Sequence, residues 1–150
     1  MADTQKYETY KALMEDLKKA LKAGFYYQAI FIEYAIFEDR FSSLLKYANV
    51  PYKKKNGFDF DLKDKIGKVR SRDEFASAFV RKRITPELLE QIDAWRDKRN
   101  RKVHKLASVP YKEEEIRMIA EEGNGLLKVF MNKAKSVNNH HKKTVWKGDI

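Results

Sequence analysis

The sequence predicts an all-α protein folded as a single four- to five-helix bundle. Three observations carry that expectation. Apolar residues recur at three- and four-residue spacing through most of the chain, and no segment shows the alternation of a half-buried strand. No internal repeat or low-complexity linker divides the 150 residues, a length suited to about one domain with a core of its own.

Each element follows from local signals. Tyr7, Tyr10, Leu13 or Met14, Leu17 and Leu21 place a first helix at roughly 3–23, and Gly24 in KAGF suits its C-terminal cap. Residues 25–48 are rich in Phe, Tyr, Ile, Leu and Ala on nearly every side, which predicts a central helix covered by neighbours all round. Pro51 and KKKNG then break the chain. Residues 61–72 read as a short basic helix, with another short piece at 73–81. In ITPELLEQ, Thr85 suits an N-cap, Pro86 the first helical position and Glu87 the positive end of the helix dipole, so a helix runs from 85 to about 105, ahead of Pro110. The last helix begins near Lys112 and carries Ile116, Ile119, Leu126 or Leu127, Phe130, Ala134 and Val137 in one phase. The apolar phase is kept on both sides of GNG at 123–125, which favours one helix weakened by two glycines. NNHHKKTVWKGDI shows no periodicity, so the expected division is a bundle over 1–137 and a flexible C-terminal tail over 138–150.

Composition narrows the chemistry. The absence of cysteine excludes disulfides, thiolate nucleophiles and cysteine-ligated zinc. The N-terminus lacks a basic start and apolar run, and Gln28 and Glu33 interrupt the most apolar stretch, so the expected location is cytoplasmic, with no membrane association. The net charge of +10 is unevenly spread: residues 1–49 balance at seven basic against seven acidic, whereas 53–83 carry eleven against five and 96–105 six against one. Such clustering suits a polyanion, and nucleic acid is the commonest one inside a cell.

RDKRNRKVH, residues 96–104, is the most informative stretch. At about 100° per residue, Leu88, Ile92, Trp95, Val103 and Leu106 form an apolar stripe with Arg99 in its middle. A guanidinium buried there needs a partner, and Glu33 and Glu38 in the central helix are the available carboxylates. Asn100 and His104, four residues apart, share an adjoining face. Arginine can hold a phosphate with two hydrogen bonds and stabilise growing negative charge, histidine can move a proton near neutral pH, and asparagine can orient either. These are parts for phosphodiester chemistry without a metal.

Arg99-Asn100-Arg101-Lys102-Val103-His104 resembles the Arg-(four to six residues)-His motif, with a polar residue after the Arg, of the HEPN superfamily of nucleic-acid-associated helical domains. The preceding AWRDKRN, the glutamate-bearing IEYAIFEDRFSSLL and the amphipathic EEEIRMIAEEGNGLLKVF are similar to that family's layout, over roughly residues 5–135. The interior Arg-Lys-Val is more basic than is usual there, and Lys105 stands where a small residue is frequent. The resemblance implies an up-and-down HEPN-like bundle that forms a homodimer with two motifs facing each other across a cleft. It implies a metal-independent endoribonuclease, of the kind that serves as a toxin or phage-defence effector with an antitoxin or regulator protein. Inactive members act instead as RNA-binding or assembly modules. Carried onto this chain, Arg99 and His104 are catalytic, Asn100 is supporting, and Glu33 or Glu38 positions Arg99.

RNA is the expected partner, with Lys53, Lys54, Lys55, Arg81, Arg83, Arg101 and Lys102 as candidate backbone contacts. No cofactor or metal is called for: His140 and His141 lie side by side on the expected tail without a third ligand.

Overall fold

The structure, a computed structural model, describes residues 2–108, 110 and 112–148, with side chains from Thr4 onward. Among them are six α-helices: α1 (Ala2–Ala23), α2 (Tyr26–Tyr47), α3 (Leu62–Ser71), α4 (Ala78–Arg83), α5 (Pro86–His104) and α6 (Glu113–Thr144), with one 3-10 turn at Asp73–Phe75. The fold is an all-α bundle. Four long helices supply its body; α3 and α4 are short. The described residues include no strand longer than an isolated antiparallel bridge between Lys53 and Asp59.

Local chemistry sets the helix limits. Thr85 accepts a hydrogen bond from the Leu88 amide at 3.1 Å and Asp61 accepts one from the Asp64 amide at 2.8 Å, so each satisfies a donor that its helix cannot. Gly24 stops α1 at φ +81°, a conformation that a side chain would oppose. Ser77 caps α4 through the Val80 amide, which moves this short helix to residues 78–83 from the expected 73–81.

The helix α2 is the hub. It packs against α1, α3 and α6, and buries Ile30, Phe37, Phe41, Leu44 and Leu45 completely. Trp95 and Phe130 close the core from α5 and α6: the Phe37 ring lies 5.2 Å from Trp95 and 5.8 Å from Phe130, and Phe41 stacks on Phe130 at 4.6 Å. Trp95 Nε1 donates to the Ile119 carbonyl at 2.9 Å, which ties α5 to α6 and satisfies the buried indole.

The helix α6 passes through both glycines without a break, and only one of them has a packing role. A Cβ on Gly123 would sit 2.7 Å from Trp95 Nε1 and closer still to Glu33 Oε1, whereas a Cβ on Gly125 would meet nothing within 4 Å. Gly123 is thus the point where α6 approaches α2 and α5 backbone to side chain.

The expected tail boundary at residue 137 is corrected. The same helix continues to Thr144, and Asn138 and His141 are buried. His141 lies edge-on to Phe75 at 5.6 Å, while His140 stacks on Phe79 at 4.1 Å. These rings come from the 3-10 turn and α4, so the packing that holds residues 138–144 comes from segments distant in sequence. Residues 149 and 150 lie outside the described residues. No helix is long and apolar enough to cross a membrane among the described residues.

Candidate functional site

Arg99 leaves α5 toward the seam with α2, where aromatic rings receive it. Its guanidinium carbon lies 4.2 Å from the centre of Tyr34 and 4.8 Å from that of Phe31, both from α2. Its Nη1 donates to Asn100 Oδ1 at 2.9 Å, and the Asn100 amide hydrogen-bonds the Tyr34 hydroxyl. Arginine, asparagine and tyrosine thereby form one connected group, half-buried at the α2–α5 seam. Arg99 Nε is shielded from solvent without a hydrogen-bond partner. Burial lowers the Arg99 pKa, opposed by the charges of Tyr34 and Glu38.

The expected Arg99–Glu33 pair does not form. Glu33 is fully buried, neither carboxyl oxygen has a hydrogen-bond partner, and it faces Trp95 and Gly123 in the core. Burial pushes its pKa up to about 9, which leaves the group neutral at pH 7 and unable to compensate a cation. The reason is helical phase. Glu33 and Tyr34 are neighbours in sequence and so point about 100° apart around α2; Tyr34, not Glu33, falls on the α5 side that carries Arg99.

Glu38, one turn beyond Tyr34, is half-buried and interacts with Arg99 through space. Its pKa is raised chiefly by burial, while Lys65 and then Arg99 act in the opposite direction. Among the described residues, no carboxylate lies within ion-pair distance of Arg99; Lys65, itself buried, pairs instead with Asp59 at 3.5 Å. Glu38 therefore sits between two cations and binds neither tightly.

His104 is the last residue of α5 and is exposed. It lies five positions after Arg99, which turns the two side chains about 140° apart on one helix. Within a single chain the arginine and the histidine do not converge, and Asn100 stands between them in azimuth. On another face of α5, a groove of about 810 Å³ opens toward the start of α6, walled by both cations, such as Arg101 and Lys105, and carboxylates, such as Glu115 and Glu122, with Leu106 and Ile116 among its apolar residues.

The cationic candidates divide into two groups. Arg81 and Arg83, both half-buried, are engaged within the fold. Arg81 Nη2 donates to the carbonyls of Val69 at 3.0 Å and Arg70 at 2.7 Å, satisfying the end of α3. Arg83 donates to Ser136 Oγ at 3.1 Å and to the Phe79 carbonyl at 3.0 Å, and lies 3.5 Å over the Phe79 ring. The others remain on the surface. Lys53, Lys54 and Lys55 are exposed on the turn closed by Gly57, at φ +88°. Arg101 pairs with Asp97 at 2.8 Å, and Lys102 pairs with Glu115, at positions open enough to exchange partners.

Sequence reasoning missed Phe31 and Tyr34. The available signal was their three-residue spacing on α2, which places both rings on one face beside Glu38. Among the described residues, no group of three or more His, Cys, Asp or Glu could hold a metal ion. No family model, curated protein or solved structure matches the chain.

Proposed function

We propose that the protein is a metal-independent endoribonuclease of HEPN type, with Arg99, Asn100 and His104 as its working residues and two copies contributing to each site. The observation that carries this reading is the state of Arg99. It is half-buried, held in place by Asn100 and two rings, and has no carboxylate within ion-pair distance among the described residues, so its charge is not neutralised by an ion pair. Such a guanidinium is prepared for a phosphate. The exposed His104 supplies an imidazole, whose two ring nitrogens can accept and donate a proton.

In the proposed reaction, the 2'-oxygen of RNA attacks the adjacent phosphorus as His104 accepts the 2'-hydroxyl proton. The bond from phosphorus to the 5'-oxygen breaks, that oxygen gains a proton, and a 2',3'-cyclic phosphate and a 5'-hydroxyl remain. Arg99 stabilises the charge on the non-bridging oxygens. Because Arg99 and His104 diverge on one helix, a symmetric homodimer with the C-terminal half of α5 at its interface brings the arginine of one copy toward the histidine of the other. Arg101, Lys102 and the lysines at 53–55 then supply sequence-independent backbone contacts. The toxin or phage-defence role, with an antitoxin or regulator as partner, rests on the resemblance of residues 99–104 alone.

The divergence of Arg99 and His104 within one chain favours a second reading, a non-catalytic RNA-binding or protein-assembly module. The experiment that separates them is incubation of purified protein with single-stranded RNA in excess EDTA. The ribonuclease leaves a 2',3'-cyclic phosphate, spares DNA, and loses cleavage on Arg99→Ala and on His104→Ala while His104→Ala still binds RNA. Binding without cleavage over a varied panel of transcripts, or a monomer at micromolar concentration by light scattering, would favour the module.

A further inference from the structure

The C-terminal segment builds a second cationic and aromatic feature, remote from Arg99. Asn49 adopts the left-handed backbone conformation, at φ 59°, just after α2. Its side chain holds the segment beyond α6 at two points: Nδ2 donates to the Val145 carbonyl at 2.5 Å, and Oδ1 accepts from the Lys147 amide at 3.3 Å. The Trp146 amide donates to the His141 carbonyl at 2.8 Å. Three hydrogen bonds thus fix the backbone on either side of one tryptophan. The indole meets Tyr47 edge to face at 5.0 Å and 81°, a contact that covers at most one face of each ring.

Cations surround these rings. Lys46 Nζ lies 5.6 Å from the Tyr47 centre and 6.0 Å from that of Trp146; Lys142 Nζ lies 4.4 Å from Tyr47; Lys53 Nζ lies 5.7 Å from Tyr52. Between the rings opens a cleft of about 410 Å³, walled by Lys46, Asn49, Tyr52, Lys53 and Trp146, with no acidic side chain lining it among the described residues. Tyr47 is thirteen residues along α2 from Tyr34, so the cleft lies roughly 20 Å from the Arg99 seam.

We infer that the Trp146 cleft is a binding site for single-stranded nucleic acid, in which an unstacked base lies on the Trp146 or Tyr52 ring and the exposed Lys53 holds the flanking phosphate. Single strands are recognised by this combination, because any base offers a π-face and the backbone offers regular negative charge. A duplex keeps its bases stacked and offers only the charge. The inference stands apart from the Arg99–His104 chemistry, since it requires binding and no cleavage.

The full chain carries its own reporter. Trp95 is buried and Trp146 is partly exposed, so a base stacking in the cleft quenches the emission of Trp146 alone. Titration with an oligouridine should quench wild-type fluorescence, and Trp146→Phe should remove that quenching while keeping affinity, by polarisation of a labelled oligouridine, within about twofold. Trp146→Ala should weaken binding about tenfold or more, the scale of one lost base–aromatic stack. Asn49→Gly keeps the backbone conformation but releases the segment, and should weaken binding comparably. Lys19→Ala, at an exposed position of α1 outside both sites, should bind as wild type does. Unquenched emission with bound oligouridine, unchanged affinity in Trp146→Ala, or equally tight binding of inorganic polyphosphate would each overturn the inference. Quenching without cleavage would leave it standing and count against the ribonuclease.

Discussion

The Arg99 guanidinium lies 4.2 Å from the centre of the Tyr34 ring, in a position where helix phase alone suggests a carboxylate. The contact is a cation on an aromatic face, reinforced by Asn100, which bonds both partners. A cation held this way is oriented without being neutralised.

Arg99→Ala should cost about 1–2 kcal/mol in denaturant unfolding, the range of a partly desolvated cation–π contact. Removing one member of a buried ion pair costs about 3–5 kcal/mol. A loss in the higher range would show that Arg99 is paired in solution. His104→Ala, at an exposed position, should leave the midpoint within about 0.5 kcal/mol.

Glu33 gives stability a pH dependence of definite sign. Its carboxyl ionises near 4.5 in the unfolded chain and near 9 in the fold, where burial holds the proton on. Between those values the unfolded state binds fewer protons, so stability falls as pH rises, by up to about 1.4 kcal/mol per pH unit. Glu33→Gln cannot ionise. Its advantage over wild type should therefore grow from pH 5 to about pH 9, and parallel unfolding curves for the two proteins across that window would show the group to be solvated.

The two glycines of α6 should respond oppositely to alanine. Gly123→Ala places a methyl against Trp95 and Glu33, so it should destabilise by about 1–3 kcal/mol despite the better helix propensity. Gly125→Ala faces open space and should stabilise by up to about 1 kcal/mol. Thermal melts of the two variants check both signs; stabilisation by both would mean that α6 stands farther from α2 than described.

His141 should couple the end of α6 to pH in the opposite sense to Glu33. Burial lowers its pKa, with the His140 charge acting the same way and a hydrogen bond to the Glu74 backbone opposing them. The unfolded histidine takes up a proton near 6.5 while the folded one resists, so this contribution is lost as pH falls below about 6.5. His141→Leu should flatten the acid side of the stability profile, measured by urea midpoints between pH 5 and 7. An unchanged acid limb would place the acid sensitivity elsewhere.

What the sequence determined by itself is local in origin. The Thr85 and Pro86 start of α5, the Gly24 stop of α1 and the unbroken apolar phase of α6 through residues 123–125 depend on contacts within a few residues, and periodicity reports them directly. The all-α class follows from those same signals. Tertiary structure decided the partners. Arg99 meets Tyr34 and Phe31 because the rotation of α2 against α5 turns Glu33 inward toward Gly123, and no pattern within either helix encodes that angle. Residues 138–144 are helical because Phe75 and Phe79, some sixty positions earlier, cover His141 and His140. Trp146 has its place because Asn49 reaches across ninety-six residues to hold the Val145 carbonyl. Contacts of that separation form only when the helices have packed, which is why a segment without periodicity of its own is ordered here by the surfaces it lies on.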